Sequence, residues 1–388
     1  MSGPPVRKVI LAAGGTGGHM FPAEALAGEL RARGVAVALV TDRRGGGFGG
    51  DLAQVETHLI SAGGIAGGNP LKRVRGLGML ALGWLQARRL VAASNADAAV
   101  GFGGYASVPT VLAASRAGLR VVLHEQNAVA GRANRMLAGR ADAIATGFAQ
   151  VRGLADADLA KTKMTGNPVR AEIGEIARYP YPVPGNGDAI NLLVVGGSLG
   201  AQVFNSVVPA AVQRLPEDLR ARLRVTQQVP GEELDLVRQA YQACNVRAVL
   251  AGFFDDLPQR LAEAHLVISR AGASTVAELM SAGRPAVLVP YPHGVDDHQT
   301  ANAQALADAG GGWLMPQAAL TPDALAARLE SLLTAAALLA QAAVCAAALA
   351  PRNAAGRLAD LVCGAANENG GDADPRDLPE QDSREAAA

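Results

Sequence analysis

Aromatic residues are scarce in this chain, at 4% of 388 positions, and neither sign of charge prevails, since Lys plus Arg and Asp plus Glu each number 35. That balance argues against a general nucleic-acid binder, which carries a basic excess, so no nucleic-acid partner is expected. Cysteine is nearly absent. Cys244, Cys345 and Cys363 are odd in number, far apart and without C-x-x-C spacing, which argues against a disulfide framework or zinc knuckle and suits a reducing cytosol. Near the N-terminus Arg7 and Lys8 precede an apolar run too brief for a secretory h-region. One long uncharged run exists, Ser331 to Ala350, of about spanning length. It is mostly Ala, and Leu325, Leu329, Leu332, Ala336, Leu339 and Ala343 recur at i, i+3/i+4 spacing, so it reads as an amphipathic helix of a soluble domain.

What the chain has in quantity is glycine, placed where β-runs end. Val9–Ala13 runs into Gly14-Gly15-Thr16-Gly17-Gly18-His19 and then a helical stretch; Asn191–Val195 runs into Gly196-Gly197-Ser198-Leu199-Gly200-Ala201 and another. Such loops let a backbone approach a ligand while a helix N-terminus offers its free N–H groups, which suits a phosphate or diphosphate. Around each loop, β-runs alternate with helical stretches, the signature of a doubly wound parallel sheet. The break at Gly166-Asn167-Pro168 and the Pro-rich Tyr179–Gly185 separate the two series. We therefore expect an α/β protein of two Rossmann-like domains facing a central cleft: residues 1–168 and 169–350, with a C-terminal helix at about 351–364 packing back onto the first. Residues 365–388 are polar and charged and read as a disordered tail.

The first loop lacks the Lys-Ser/Thr ending of a Walker motif. Gly15-x-Gly17 fits a dinucleotide fingerprint, but Met20 occupies the third glycine position; Asp42, ending the next β-run, keeps that alternative open. His19 follows directly and is suited to general-base work on a sugar hydroxyl, or else is an ordinary hydrogen-bonded turn residue. A third glycine loop, Gly101 to Pro109, includes Gly103, Gly104 and Tyr105 and suggests an acceptor with its own phosphate, a tight turn being the plainer reading. His124-Glu125-Gln126-Asn127 superficially matches H-E-x-x-H, but Ala128 stands where the second His belongs, at a strand end. Polar side chains there favour substrate contact instead.

In the second half, Gly272 permits a turn before Ala273, Ser274 and Thr275 open a helix toward a diphosphate. Glu278, one turn on, is placed to accept from ribose hydroxyls, or to act in an ordinary capping box. Pro290–Gln299 offers amide and carboxylate groups to a sugar; Asp296-Asp297 lacks a third metal ligand. Leu71 to Leu90 combines Lys72, Arg73, Arg75, Arg88 and Arg89 with Leu77, Met79, Leu80, Leu82, Trp84 and Leu85. It reads as an interfacial helix on anionic lipid, with a buried core helix as the alternative.

Together, in order and spacing, these motifs resemble the MurG family of bacterial peptidoglycan N-acetylglucosaminyltransferases, which have the GT-B fold. The marks are Gly14–His19, Gly103-Gly104-Tyr105, His124–Asn127, Gly166–Arg170, Gly196–Ala201, Arg270–Glu278 and Asp297-His298-Gln299, from about Val6 to Leu361. The resemblance implies inverting transfer of N-acetylglucosamine from UDP-N-acetylglucosamine to the muramyl 4-hydroxyl of undecaprenyl-diphosphate-linked muramyl-pentapeptide (lipid I to lipid II), with no cofactor and no metal. It implies donor contacts at Thr16, Gly17, Gly18, Asn127, Arg170, Ser198, Phe254, Ala273, Ser274, Thr275, Val276, Ala277, Glu278 and Gln299. Acceptor contacts fall at Gly103, Gly104, Tyr105 and His124, and His19, with Glu125 behind it, is the expected base. Membrane contact falls to Lys72, Arg73, Arg75, Met79, Leu82 and Trp84 on the cytoplasmic face of the inner membrane. Cell-wall synthesis and division proteins are further candidate partners. Other nucleotide-sugar transferases and a UDP-N-acetylglucosamine epimerase share this architecture; a lipid-facing segment favours transfer to a lipid-linked acceptor. The glycine-rich Arg43–Gly50 has no assigned role.

Overall fold

The computed structural model of the chain describes residues 6–14, 17–43, 50–63, 70–196 and 201–364, with backbone alone at 50–51, 70–73 and 295. One sheet has seven strands: β1 (Lys8–Ala12), β2 (Ala36–Thr41), β3 (Glu56–Leu59), β4 (Ala98–Gly101), β5 (Arg120–Glu125), β6 (Ala143–Thr146) and β7 (Thr162–Met164). The other has six: β8 (Ile190–Val195), β9 (Leu223–Gln228), β10 (Arg247–Ala251), β11 (Leu266–Ser269), β12 (Ala286–Leu288) and β13 (Gly312–Leu314). Neighbouring strands pair parallel throughout.

The strand orders are β3-β2-β1-β4-β5-β6-β7 and β10-β9-β8-β11-β12-β13. In each, the chain steps outward from its first strand, then returns to that strand's other side. The reversals lie between β1 and β4 and between β8 and β11. A ligand crevice forms at such a reversal, beyond the carboxyl ends of the strands. The loops after β1, β4, β8 and β11 are the glycine-containing stretches the sequence marks out. This is the architecture of two Rossmann-like domains expected from the strand–helix alternation, and it fits the GT-B fold that the resemblance implies.

Continuous apolar strands follow from sheets covered on both faces. Val9 and Leu11 join a core with Met20, Leu26 and Leu30 of the Gly17–Ala32 helix and with Leu358 and Val362 of the Ala354–Cys363 helix. Ile10 joins the opposite core, with Val91 of the Pro70–Ser94 helix and Val108 and Val111 of the Ser107–Arg116 helix. The last helix thus covers the first sheet. Arg33 pins it, with Nη1 2.5 Å from Asp360 Oδ1 and Nη2 donating to Gly356 O at 3.2 Å. The two segments crossing between domains touch: Gly166 has φ +81°, and a Cβ there would lie 2.8 Å from Pro351 Cγ. Only glycine satisfies both the dihedral and the contact.

The single helix expected over Ser331–Ala350 is two. Pro322–Leu333 ends at Thr334 and Ala336–Leu349 begins beyond Ala335, with a 91° bend between the first helix and the following helical stretch. Thr334 Oγ1 donates to Glu330 O at 2.7 Å and Ala335 leaves helical dihedrals (φ −113°, ψ 69°), the local side-chain bond competing with helix continuation. The bend sends Leu325, Leu329 and Leu339 into one core of the second domain and Ala346 into the other. Among the described residues no single helix is long and apolar enough to cross a membrane.

Candidate active site

The first domain's reversal is built by close glycine packing. Gly14 N–H donates to Gly103 O at 3.2 Å. Gly103 and Gly104 have φ of +92° and +75°, and a Cβ on Gly104 would lie 3.0 Å from Gly14 Cα and 3.4 Å from His19 Cδ2. A Cβ on Gly103 would lie 3.2 Å from His19 Cε1. The half-buried His19 ring, in the first turn of its helix, therefore rests on the Gly103–Gly104 turn, which Tyr105 follows in the chain. Gly17 and Gly18 open the same helix. Thr16 lies outside the described residues.

Behind His19 runs a chain of side chains at the end of β5. His19 Nδ1 lies 3.2 Å from Gln126 Oε1, Gln126 Nε2 lies 2.9 Å from His124 Nδ1, and His124 Nε2 lies 3.2 Å from Gly166 O. His124 is completely buried and packs edge-on against Phe102. Burial, helped by nearby His19, pushes its imidazole down to about 4, against the pull of the Gly166 carbonyl. With no exposed surface and both ring nitrogens engaged, His124 has no route to contact an acceptor directly. Glu125, also buried, accepts from Asn127 N at 3.0 Å and Asn127 Nδ2 at 3.3 Å through Oε1, and from Gly131 N and Asn134 Nδ2, both at 2.8 Å, through Oε2. Its carboxylate organises the loop from 125 to 134.

That loop meets the second domain. Asn302, on the His298–Asp308 helix, accepts from Ala128 N at 2.8 Å and donates to Asn127 Oδ1 and Ala271 O, each at 3.1 Å. Arg132 and Arg135 pair with Asp296 from across the same boundary. Asp297 accepts from Thr300 Oγ1 at 2.7 Å. Among the described residues no three His, Cys, Asp or Glu side chains cluster as a metal site would need.

In the second domain Gly272, with φ −61° and ψ 145°, precedes the Ala273–Ala282 helix. Val276 and Ala277 face the core, and the Val276 N–H is already held by Gly272 O at 2.9 Å. Ser274 Oγ is buried and makes no hydrogen bond to any described residue. Glu278 Oε1 lies 3.2 Å from Arg170 Nη2, and Arg170 also stacks over Phe21 of the first domain. Burial raises the Glu278 carboxyl pKa while Arg170 lowers it. Gln299 Oε1 accepts from Ala271 N at 3.2 Å and Tyr291 N at 2.9 Å, which turns its Nε2 donor outward from that pair. Phe254 is buried under Arg260, whose guanidinium lies 4.4 Å from the ring centre. Ser198 lies outside the described residues, as do the tail 365–388 and residues 44–49 of the glycine-rich loop.

The basic-apolar segment forms the Pro70–Ser94 helix. Its buried side is Gly76, Gly83, Ala87 and Val91; Val74, Leu77, Leu82 and Leu85 are exposed, as are Arg75, Arg88 and Arg89. Leu82 thus lies on the outer face. Trp84 and Met79 do not: both are half-buried, and Trp84 packs on the core with Arg88 and Arg116 over its ring. A helix presents one arc of about 100° to its neighbour, and Trp84 falls at its edge, next to Gly83. The side chains of Lys72 and Arg73 are outside the described set.

Three residues not singled out by sequence hold the site together: Gln126, Asn134 and Asn302. Gln126 stood inside a polar strand-end stretch, the one signal available; Asn302 sits in a polar helix with none.

Residues 9–146 match the glycosyltransferase family 28 N-terminal domain and residues 191–358 its C-terminal domain. The UDP-N-acetylglucosamine--N-acetylmuramyl-(pentapeptide) pyrophosphoryl-undecaprenol N-acetylglucosamine transferase of Rhodospirillum centenum is 54% identical over 95% of this chain and 97% of its own length. That of Paramagnetospirillum magneticum is 53% identical over 93% and 98%. The crystal structure of Acinetobacter baumannii MurG superposes with a TM-score of 0.73 at 32% identity, covering 92% of this chain and 99% of that one. Two parallel sheets with their reversals turned toward a shared boundary, matched at this identity over nearly the whole length, leave one assignment: the chain is a glycosyltransferase of family 28 and belongs to the MurG family.

Proposed function

We propose that this enzyme transfers N-acetylglucosamine from UDP-N-acetylglucosamine to the muramyl 4-hydroxyl of lipid I, giving lipid II. The observation that carries this is the 54% identity, over 95% of the chain, to a relative named for that transfer. In this reading the acceptor diphosphate lies along Gly18, Gly103, Gly104 and Tyr105, with its reacting hydroxyl at His19. The donor lies on the second domain. Its diphosphate meets the N-terminus of the Ala273–Ala282 helix, where Ser274 Oγ and Thr275 supplement backbone N–H groups. Glu278 and Arg170 hold the ribose side, the Phe254 backbone the base, and Gln299 Nε2 the sugar; Thr16, Ser198 and Asn127 complete the set.

The hydroxyl attacks the anomeric carbon with inversion, its proton passes to His19, and UDP leaves onto the helix terminus, which stabilises the departing charge in place of a metal. Saturation of Glu125 by four donors favours His19 as base. The exposed face of the Pro70–Ser94 helix, with Leu77, Leu82, Leu85, Arg75 and Arg89, serves as a peripheral contact with the anionic cytoplasmic leaflet, where a lipid-borne acceptor meets a cytosolic donor.

Labelled UDP-N-acetylglucosamine incubated with and without lipid I tests the reading. Label should enter the lipid fraction only when lipid I is present. Isomerisation of the donor, or no transfer, overturns it; complete loss in EDTA reversed by a divalent ion overturns the metal-free step.

A further inference from the structure

We infer that Gln126 selects the tautomer of His19, holding the ring proton on Nδ1 and placing the lone pair on Nε2. The inference rests on the reading of His19 as general base and names the residue that prepares it. Two backbone carbonyls set the direction of the chain behind His19. A carbonyl oxygen only accepts, so His124 Nε2, at 3.2 Å from Gly166 O, carries the hydrogen. A neutral imidazole has one such hydrogen, which leaves His124 Nδ1 an acceptor.

Gln126 Nε2 meets that acceptor at 2.9 Å and donates its other hydrogen to His124 O at 2.8 Å. Flipping the amide would set Oε1 against a carbonyl and a lone pair at once, so the network assigns the orientation. Oε1 then faces His19 Nδ1 at 3.2 Å, and that nitrogen must be the donor. Burial keeps His124 neutral well below neutral pH, so the argument holds through the working range. Gln126 itself is buried, and its carbonyl accepts from Asn167 Nδ2 at 2.9 Å. Its position is therefore tied to the interdomain crossing at both main chain and side chain.

The consequence is chemical. An imidazole in water favours hydrogen on Nε2; a base that takes a proton through Nε2 needs the other form, and the partner of Nδ1 decides which is present. Gln126 is a positioning residue in this sense, since it acts on His19 and not on substrate.

The test uses the full-length protein with ring-15N-histidine. The chain has 6 histidines, few enough for two-bond nitrogen–proton patterns to be read singly, and the His19 signal is identified by its loss in His19→Asn. Wild type should show His19 protonated on Nδ1 and His124 on Nε2. Gln126→Leu should move the His19 hydrogen to Nε2 and lower kcat by about 10²-fold, with KM for UDP-N-acetylglucosamine unchanged within twofold. Gln126→Met, close to glutamine in length and likewise without an acceptor for His19, should shift the hydrogen in the same way, so that the test stands if the leucine variant does not fold. His19 carrying its hydrogen on Nε2 in wild type, or staying Nδ1–H in Gln126→Leu, overturns the inference. A tautomer switch in Gln126→Leu with kcat unchanged supports the inference and removes His19 from the role of base.

Discussion

Asn302 donates to Asn127 Oδ1 at 3.1 Å, a single buried amide joining the second domain to the strand-end loop of the first. Its Oδ1 takes the Ala128 N–H as well. Asn302→Ala would leave that N–H and the Ala271 carbonyl without partners, at about 1–3 kcal/mol each. We expect a clearly lower urea midpoint. An unchanged midpoint would mean the bridge contributes nothing to holding the halves together.

His19 and Glu125 should separate into chemistry and scaffold. His19→Ala is expected to lower turnover by about 10²-fold or more with little change in Tm. Glu125→Gln replaces a carboxylate oxygen by an NH₂ group facing other donors. It should destabilise by about 1–3 kcal/mol, and the surviving folded enzyme should keep the wild-type pH profile. An altered profile with an unchanged Tm would transfer the base role to Glu125.

Two glycines of the Pro70–Ser94 helix should respond oppositely to the same substitution. At Gly78 an added Cβ meets nothing within 4 Å, so Gly78→Ala should stabilise by up to about 1 kcal/mol through helix propensity. At Gly83 the Cβ would collide with Ser61 O and lie 3.3 Å from Pro109 Cγ. Gly83→Ala must lift the helix off its neighbour, and thermal melts should show a loss larger than the propensity gain.

The contrast between these glycines marks what a sequence can and cannot disclose. Gly14, Gly103 and Gly104 were legible because each follows an apolar run and precedes a helix, a local pattern. That Gly14 and Gly104 touch was not, since their contact depends on β1 and β4 being neighbours in the sheet. The same holds for Gln126 and His19, 107 positions apart. Trp84 was misplaced because composition tells that a helix is basic and apolar, not which arc of it meets the core. The break at Thr334 hinged on one hydroxyl choosing a carbonyl four residues back.

His124 should make stability depend on pH. Its imidazole is shifted from 6.5 to about 4 in the folded state, so the unfolded chain binds the proton more readily and acid favours unfolding. The contribution is intact above about 6.5 and is lost progressively as pH falls toward 4, by up to about 3 kcal/mol. His265, lowered chiefly by burial, adds a slope of the same sign, so the readout is a difference. His124→Asn should lose less of its urea midpoint between pH 7 and pH 5 than wild type does; equal losses would refute the assignment.

Vesicle binding tests the outer helix face. Arg75→Glu and Arg89→Glu with Leu77→Ser, Leu82→Ser and Leu85→Ser should abolish pelleting with anionic vesicles, each cation contributing about 1 kcal/mol, and added salt should weaken wild-type binding. Transfer to a water-soluble acceptor should persist. Trp84→Ser, by contrast, should lower Tm, since the ring packs on the core with two guanidinium groups over it. Wild-type pelleting by the five-fold variant would locate the docking face elsewhere.

The return of the Ala354–Cys363 helix to the first sheet also sets an order of events during synthesis. Residues of β1 to β7 leave the ribosome first, yet the face occupied by Leu358 and Val362 stays open until the last helix emerges. The second sheet, whose strands and covering helices are nearly contiguous in the chain, can close before the first is finished. The half made earliest is therefore completed last: a chain halted between β13 and the Ala354–Cys363 helix has made every strand of both sheets and still lacks part of the first sheet's core.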